Sequence, residues 1–233
     1  MSHGIYVAMS GASAQAEALD VVAHNVSNAG THAMRQRATF KEVLSKGTTS
    51  HVTLDRISVD ARPGALEATG RKLDLAVSGQ GLLAVNTPDG VRYTRGGSFS
   101  LTPDGQIADA SGNTLRIAGG GQIDLAEGVD ELEIARDGRV FVGESEIGRI
   151  ECVTIPADAL VPEGSGRYRS STEPRPADPE TEIWSGHVEK ANTDVIADMV
   201  ELVKVSRTYE ALNRMLENYK QIDERTAREI GSP

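Results

Sequence analysis

Residues 195–219 read VIADMVELVKVSRTYEALNRMLENY, and their apolar side chains recur at intervals of three and four residues. This spacing predicts an α-helix with its apolar side chains on one face, as in the seam of a coiled coil. Asn192 or Thr193 can cap the helix, and Asp194 suits the positive end of its dipole. Neither Gly nor Pro interrupts residues 193–230, so the helix is predicted to reach about 55 Å. The seam residues are Val195, Met199, Leu202, Val205, Tyr209, Leu212, Leu216 and Tyr219.

The beginning of the chain shows a shorter version of the same pattern. Its apolar residues alternate between intervals of four and three, which again predicts a helix with a coiled-coil seam. Many of these positions are alanine, which buries little area but lets helix backbones approach closely. Such a helix is marginal alone and needs a partner surface, so we expect the two helices to meet. The seam residues are Ile5, Met9, Ala12, Ala16, Leu19, Ala23 and Val26.

Between the helices the pattern changes to that of β-strands. Leu73–Val77 begins with an alternation of apolar and polar residues, and short turn signals then recur. Asp-Gly pairs suit tight hairpins because both residues tolerate positive φ, so residues 66–155 are predicted to form an antiparallel meander or small sandwich. The turn signals are Pro88-Asp89-Gly90, Pro103-Asp104-Gly105, Ser111-Gly112-Asn113 and Arg136-Asp137-Gly138.

Together these patterns predict an α+β fold, in which long N- and C-terminal helices form a coiled-coil layer and flank a small antiparallel β-rich domain. We expect a helical segment at 1–35, the β-rich domain at 36–187 and a second helical segment at 188–233. The β-rich domain is predicted to begin irregularly, over residues 41–65. It is predicted to end in an extended return loop, residues 156–182, which holds five of the nine prolines.

Composition and charge argue against several kinds of partner. The 233-residue chain has a formal net charge of −10, whereas phosphate binding requires basic charge, so no nucleic-acid partner is predicted. No run approaches the ~20 apolar residues of a bilayer span, and we expect no membrane insertion. Because neither Lys nor Arg precedes Arg35, no cleaved signal peptide is predicted. The single cysteine, Cys152, lies in a predicted strand and cannot form an internal disulfide.

Motifs of catalytic and cofactor sites are not matched. Gly79-Gln80-Gly81 fits the start of a dinucleotide fingerprint, but a strand and a turn signal follow where that fingerprint requires a helix. The five histidines are dispersed without the spacing of metal ligands. We therefore predict no catalytic, cofactor-binding or metal-binding residues, no cofactor and no enzymatic activity.

Several stretches resemble the flagellar rod and hook protein family. Ile5–Ala12 is similar to the opening of that family, and Leu19–Asn28 resembles the asparagine-rich signature that follows it. The family then usually carries a Gly-Phe pair, and here Ala33 and Met34 stand in its place. This difference leaves open whether the local turn is preserved.

Further blocks in the middle and at the end resemble the same family, so the resemblance covers most of residues 4–230 in order. These blocks are Leu73–Gly81, Tyr93–Phe99, Asn192–Val195, Met199–Leu202 and Arg207–Ala211. The motif residues that carry it are Asn25, Asn28, Arg95, Arg207 and Glu210.

The resemblance implies a structural subunit of the bacterial flagellar basal-body rod, the drive shaft that transmits torque. Such proteins pass through the flagellar type III export apparatus without a cleaved signal peptide. In the periplasm they polymerise with themselves and with homologous rod subunits, and their terminal helices form an inner layer. The seam residues of both helices are therefore expected to be the assembly interface. The short chain favours a proximal rod subunit; the alternatives are a distal rod or hook-type subunit, or a non-flagellar scaffold with coiled-coil ends.

Overall fold

The computed structural model describes residues 3–46, 49–60, 62–119, 121 and 132–230. The chain divides into two compact units. Unit 1 comprises Met1–Ser27, Arg37–Ser58 and Thr193–Pro233. Unit 2 comprises Asn28–Gln36 and Val59–Asn192.

Both predicted terminal helices are confirmed, and both belong to unit 1. Helix α1 spans His3–Ser27 and helix α2 spans Val195–Ile230, so the 36 residues of α2 extend over about 54 Å. The two helices contact one another. This contact joins helices within one chain, and a coiled-coil layer between chains stays a prediction.

The residue that caps α2 differs from the predicted ones. The Oδ1 atom of Asp194 accepts hydrogen bonds from the backbone N–H groups of Ile196 at 3.0 Å and Ala197 at 3.1 Å. Asp194 directly precedes the first helical residue and therefore holds the capping position itself. Asn192 and Thr193 lie too far upstream, and the Asn192 amide is used within unit 2.

Unit 1 also contains paired strands that the sequence did not predict. Strand β1 (Arg37–Lys46) pairs with strand β2 (Thr49–Val59), and β1 contacts α1. The prediction of irregular structure over residues 41–65 was therefore wrong for most of that range. The β-branched residues Val52 and Ile57 favour extended backbone, but no Asp-Gly turn signal accompanies them.

The strands of unit 2 run well past residue 155, the predicted end of the β-structure. In chain order they are β3 (Leu66–Ala68), β4 (Asp74–Ser78), β5 (Leu82–Thr87), β6 (Gly90–Thr94), β7 (Gly96–Leu101), β8 (Ile107–Asp109), β9 (Thr114–Leu115), β10 (Leu132–Ile134), β11 (Arg139–Val142), β12 (Ser145–Arg149), β13 (Cys152–Thr154), β14 (Leu160–Gly164), β15 (Arg167–Ser170), β16 (Arg175–Pro176), β17 (Glu182–Ser185) and β18 (His187–Glu189).

Most of these strands form one antiparallel sheet in the order β14-β15-β6-β5-β9-β8-β7-β4-β17, and β13 pairs with β5 and with β16. Strands β10, β11 and β12 form a separate meander, and β18 pairs with β3. The four predicted turns are confirmed, because each joins two consecutive strands from β5 to β11. Helices at both ends and antiparallel strands between them confirm the α+β class.

The proline-rich return segment is another correction, because it contains strands and not an extended loop. β14 and β15 form a hairpin, and β16 pairs with β13. Pro162 and Pro176 lie in β14 and β16, at the edges of the sheet, where a missing N–H breaks no ladder hydrogen bond. Tyr168 of β15 is buried among Leu82, Val153 and neighbouring apolar residues, which anchors the segment.

The main core of unit 2 lies between strands of the large sheet and the β10–β12 meander. Its buried side chains come from segments distant in the chain, so this core ties the large sheet to the meander. They are Leu75, Val77, Leu83, Val85, Phe99, Ile107, Leu115, Leu132, Ile134, Val140, Ile150 and Ile183.

Candidate functional site

The predicted seam of α1 coincides only in part with its buried face. Ala12 is buried, whereas Met9 is 54% exposed, and the other five seam residues, Ile5, Ala16, Leu19, Ala23 and Val26, are half-buried. Helix α1 contacts both α2 and β1, so burial extends around a wider arc than one seam. The buried residues of α1 are Ala8, Ala12, Ala14, Ala18, Val21 and Asn25.

The predicted seam of α2 faces α1 along most of its length. A Cβ atom placed on Gly11 of α1 would lie 3.6 Å from Leu212, and one on Gly4 would lie 2.9 Å from the Tyr219 hydroxyl. These distances place Leu212 and Tyr219 of α2 directly against α1. Val205 is buried, and the half-buried members of this inner row are Leu202, Tyr209, Leu212, Leu216 and Tyr219.

The first two predicted seam residues of α2, Val195 and Met199, lie outside this inner row and are exposed. Two successive intervals of three residues, from Met199 to Val205, rotate the stripe around a helix of 3.6 residues per turn. The contact between α1 and α2 therefore does not include these two residues in its inner row, and their role in assembly between chains stays a prediction.

A second apolar row on α2 was not predicted. Ile196, Val200 and Val203 are 77%, 51% and 48% exposed and follow helical spacing. Ile196 and Val205 are nine residues apart, which places this outer row on the face of α2 opposite the inner row. Both rows are visible in the sequence, because apolar residues at i, i+4 and i+7 occur twice in different registers.

Exposed apolar residues also occur on α1, where Tyr6 is 61% exposed and Met9 is 54% exposed. Large side chains of this kind, grouped on helices, are typical of surfaces that another protein covers. The role of the seam residues in assembly between chains stays a prediction.

The motif residue Asn25 joins α1 to the first residue of β1. Its Nδ2 donates to the Arg37 carbonyl at 2.8 Å, and its Oδ1 accepts the Arg37 N–H at 3.0 Å. Only an amide side chain supplies both a donor and an acceptor at this point. Asn28 continues the connection, because its carbonyl accepts the N–H of Thr31 in the turn that follows α1.

The motif residue Arg95 belongs to a buried ionic cluster in unit 2, formed with Arg35 and Glu189. The Arg95 Nε lies 2.9 Å from Glu189 Oε2, and the Arg35 Nη2 lies 3.4 Å from Glu189 Oε1. The side chains of Arg95, Arg35 and Glu189 are 5%, 9% and 1% exposed, respectively. Burial lowers the pKa of Arg35, and the charge of Glu189 opposes that effect. Because these side chains are almost fully buried, removing one of them would leave the remaining charges buried without an adequate partner.

Backbone groups complete the cluster. Arg95 donates to the carbonyls of Val77, Gly79 and Gly81 at 2.7, 2.6 and 2.7 Å. The Gly79-Gln80-Gly81 motif is thus a turn between β4 and β5 whose carbonyls bind an arginine. Glu189 Oε1 also accepts the Gly64 N–H at 3.0 Å.

The chain enters and leaves unit 2 beside this cluster. The Gln36 N–H donates to Asn192 Oδ1 at 2.6 Å, and Asn192 Nδ2 donates to the carbonyls of Asp60 and Arg62 at 3.2 and 2.8 Å. We call these residues, together with Arg35, Arg95 and Glu189, the clasp. Gln36 and Asn192 are the last residues of the two segments of unit 2, so the clasp ties these segments together where the chain leaves the unit.

Ala33 stands where the family usually carries glycine, and it adopts a backbone conformation that glycine favours. Its φ is +60°, in the left-handed region, although its side chain is fully buried. The Ala33 N–H donates to the Glu189 carbonyl at 2.7 Å, which holds this turn against β18.

The remaining motif residues, Arg207 and Glu210, are exposed on α2. Glu210 forms an exposed ion pair with Arg214 at 3.5 Å. Exposed pairs of this kind add little stability, so their presence in the motif is not explained by folding of one chain.

The described residues offer little support for a metal site, a nucleophilic thiol or a membrane-spanning helix. No cluster of three or more His, Cys, Asp or Glu that could bind a metal occurs among the described residues. Burial raises the pKa of the Cys152 thiol to about 11, so this thiol is not activated as a nucleophile. Within the same residues, no helix is both long and apolar enough to span a bilayer.

Comparison with known proteins finds matches along the whole chain. Family models described as flagella basal body rod protein, flagellar hook protein FlgE/F/G D1 domain, and flagellar basal body rod FlgEFG protein C-terminal match residues 5–32, 76–142 and 185–229. The flagellar basal-body rod protein FlgF of Escherichia coli is 33% identical over 90% of this chain and 91% of its own length. FlgF of Caulobacter vibrioides is 27% identical over 99% of both chains, and the rod protein FlgG of Bacillus subtilis is 28% identical over 95% and 97%.

Proposed function

Because the chain belongs to the flagellar basal-body rod protein family, we propose that it polymerises through its terminal helices with copies of itself and with homologous rod subunits. It is a structural subunit of the flagellar basal body. Within it, the assembled chains form the periplasmic, proximal part of the rod that transmits torque. This role requires no catalysis, and we assign none.

The observation that carries the proposal is the apolar surface that α2 leaves uncovered. The inner row, from Leu202 to Tyr219, faces α1 of the same chain, whereas the outer row of Ile196, Val200 and Val203 faces away from it. A helix that is apolar on two opposite faces needs a second neighbour. When the contacting patches on successive copies differ, growth is open and helical, as a rod requires.

The clasp transmits mechanical force between the two segments of unit 2. A pull on α1 reaches unit 2 at Asn28, and a pull on α2 reaches it at Asn192. Asn192 is hydrogen-bonded to Gln36, the last residue of the segment that Asn28 begins. Beside them, the Arg35–Glu189–Arg95 cluster resists separation because parting its charges leaves them buried and unpaired. Torque applied to the terminal helices is thereby passed to the β-structure without unfolding its edge.

Export through the flagellar type III apparatus is part of the same proposal. A chain that crosses a narrow channel unfolded benefits from having no disulfide to break, and its only cysteine is the half-buried Cys152. The alanine-rich helix α1 is marginal before it finds a partner, which suits a subunit that folds at its site of assembly.

The experiment compares two aspartates placed on exposed positions of α2. Ile196→Asp puts a charge into the outer row, whereas Asn218→Asp adds the same charge at an exposed polar position without removing apolar surface. We expect cells with Ile196→Asp to lose rod assembly and swimming, because a carboxylate buried without a partner costs several kcal/mol. Asn218→Asp should leave both intact.

The thermal melt of the monomeric variants distinguishes assembly from folding. Both variants should unfold within about 0.5 kcal/mol of the unmodified chain, since surface substitutions have small effects. Normal motility with Ile196→Asp, or equal loss with both variants, would overturn the assignment of the outer row.

A further inference from the structure

A cavity of about 610 Å³ lies in unit 2 next to the clasp. The turn between β4 and β5, the strands β13 and β15, and the segment before β14 form its walls. Arg35, Arg95 and Arg175 line it, and neither Asp nor Glu is among its lining residues. A cavity with this lining is unexpected in a chain whose formal net charge is −10, and nothing in rod assembly through helices accounts for it.

Two hydrogen-bond donors in the cavity remain unused within the described residues. Thr154 and Arg175 are direct cross-strand partners in the β13–β16 pair, so their side chains share one face. The Thr154 hydroxyl is buried and has no hydrogen-bond partner there. Arg175 is exposed and forms no ion pair with any described residue. A buried hydroxyl without a protein partner is uncommon, and an acceptor bound in the cavity would satisfy it.

Arg35 and Arg95 are the other two cationic side chains that line the cavity. Arg95 is occupied by three carbonyls and Glu189, and Arg35 by Glu189 and the Arg62 carbonyl. Glu189 is thus shared by two guanidinium groups, and no carboxylate is among the residues that line the cavity. Burial lowers the pKa of Arg35, and the charges of Glu189 and Asp60 oppose that effect, so a further anion would favour the charged form in the same way.

We propose that this cavity binds a carboxylate, held by the guanidinium of Arg175 and the hydroxyl of Thr154 above the Arg35–Arg95–Glu189 cluster. A guanidinium fork matches the two oxygens of a carboxylate, and the hydroxyl supplies one further donor. Arg95 uses four of its five N–H donors on Glu189 and on three carbonyls, so Arg175 and Thr154 supply most of the free donors, and these match the two oxygens of a carboxylate better than the four of a phosphate. The carboxylate comes either from a small free acid or from an Asp or Glu side chain of another copy of this chain.

Titration of the full chain with citrate, at constant ionic strength, tests the proposal by calorimetry or NMR shifts. We expect saturable binding on the order of millimolar, with shifts in the amides of Thr154 and Arg175. Arg175→Ala should weaken binding about tenfold or more, and Thr154→Val, which keeps the shape of the side chain, should weaken it by a smaller factor. Arg169→Ala is the matched control, because it removes an equal charge from β15 outside the cavity.

The same titration distinguishes the two sources of the carboxylate. If citrate disperses the oligomers of concentrated full-length protein in sedimentation, the natural ligand is an acidic side chain of another copy; if it binds without changing sedimentation, the ligand is a free acid. Both results support the site. Absence of saturable citrate binding, equal losses in Arg175→Ala and Arg169→Ala, or tighter binding of inorganic phosphate than of citrate would overturn it.

Discussion

The two units of this chain distribute polar and apolar groups in opposite ways. In unit 1, α2 carries apolar residues on its surface, with Ile196 77% exposed. In unit 2, charged residues lie inside, and the Glu189 side chain of the clasp is 1% exposed. The buried charges of the clasp are paired within one chain, whereas unit 1 exposes apolar side chains on α2. On the proposal made above, unit 2 is stable as a monomer and unit 1 is completed by neighbouring chains.

The largest effect is expected from the same substitution made in both units. Glu189→Gln removes the charge that two buried arginines share, so the free energy of unfolding should fall by about 3–5 kcal/mol. Glu210→Gln removes an exposed partner of Arg214 and should cost no more than about 0.5 kcal/mol. Denaturant titration followed by the fluorescence of Trp184, the single tryptophan, in β17, measures the first loss. Similar losses of unfolding free energy in Glu189→Gln and Glu210→Gln would contradict the contrast between buried charges in unit 2 and exposed charges in unit 1.

Ala33 offers a sharper test of how unit 2 holds its first segment. Ala33→Val should lower the free energy of unfolding by at least about 2 kcal/mol, because a β-branched residue is strained at positive φ and overfills a buried site. Ala33→Gly should change it by less than about 1 kcal/mol, since relief of left-handed strain offsets the lost methyl burial and the added freedom of the unfolded chain. The control is Ala211, an exposed alanine within α2, where Gly should cost about 1 kcal/mol. A large loss in Ala33→Gly would mean that this turn does not need the left-handed conformation.

A smaller, pH-dependent effect is expected at Asp109. Burial raises the pKa of this carboxyl, but hydrogen bonds from Asn113 and Ser111 and the charge of Arg167 outweigh burial and hold the pKa below 3.8. A lowered folded pKa contributes stability above the unfolded value, and this contribution is lost as the pH falls through the folded value. Asp109→Asn should therefore cost about 1 kcal/mol at pH 7. The difference from the unmodified chain should shrink below about pH 4, and a difference that is constant from pH 7 to pH 3 would contradict the assignment.

The sequence predicted the parts of the fold that local patterns determine. Helical periodicity located α1 and α2, and the Asp-Gly signals located hairpins such as the one at Asp137-Gly138. It missed β1, β2 and the strands of the proline-rich segment. The strands of the proline-rich segment depend on partners far away in the chain, as when β16 pairs with β13 or β15 pairs with β6. Strands β1 and β2 are neighbours in the chain, but no Asp-Gly pair lies between them in the sequence.

The apolar rows of α2 and the clasp were predicted less completely than the helices and hairpins. Heptad spacing found the inner row of α2, because a helix that packs on one neighbour leaves a single stripe. The outer row lies in a different register, so an interpretation that assumed one seam did not identify it. The partnership of Arg35, Arg95 and Glu189 brings together residues more than 90 positions apart, and no local pattern encodes such a distance. Resemblance marked Arg95 as a motif residue without revealing its partner.

Native-state hydrogen exchange on the full chain, as monomer and as assembled polymer, tests most directly whether unit 1 is completed by neighbours. In the monomer, amides of β4 and β5 should exchange only through global unfolding, whereas amides of α1 and α2 should exchange through smaller openings. On assembly, the amides of α2 around Ile196 and Val200 should gain protection most strongly, while those of β4 and β5 change little. If α1 and α2 are already as protected as β4 in the monomer, and assembly leaves them unchanged, the terminal helices are not the surface through which this protein assembles.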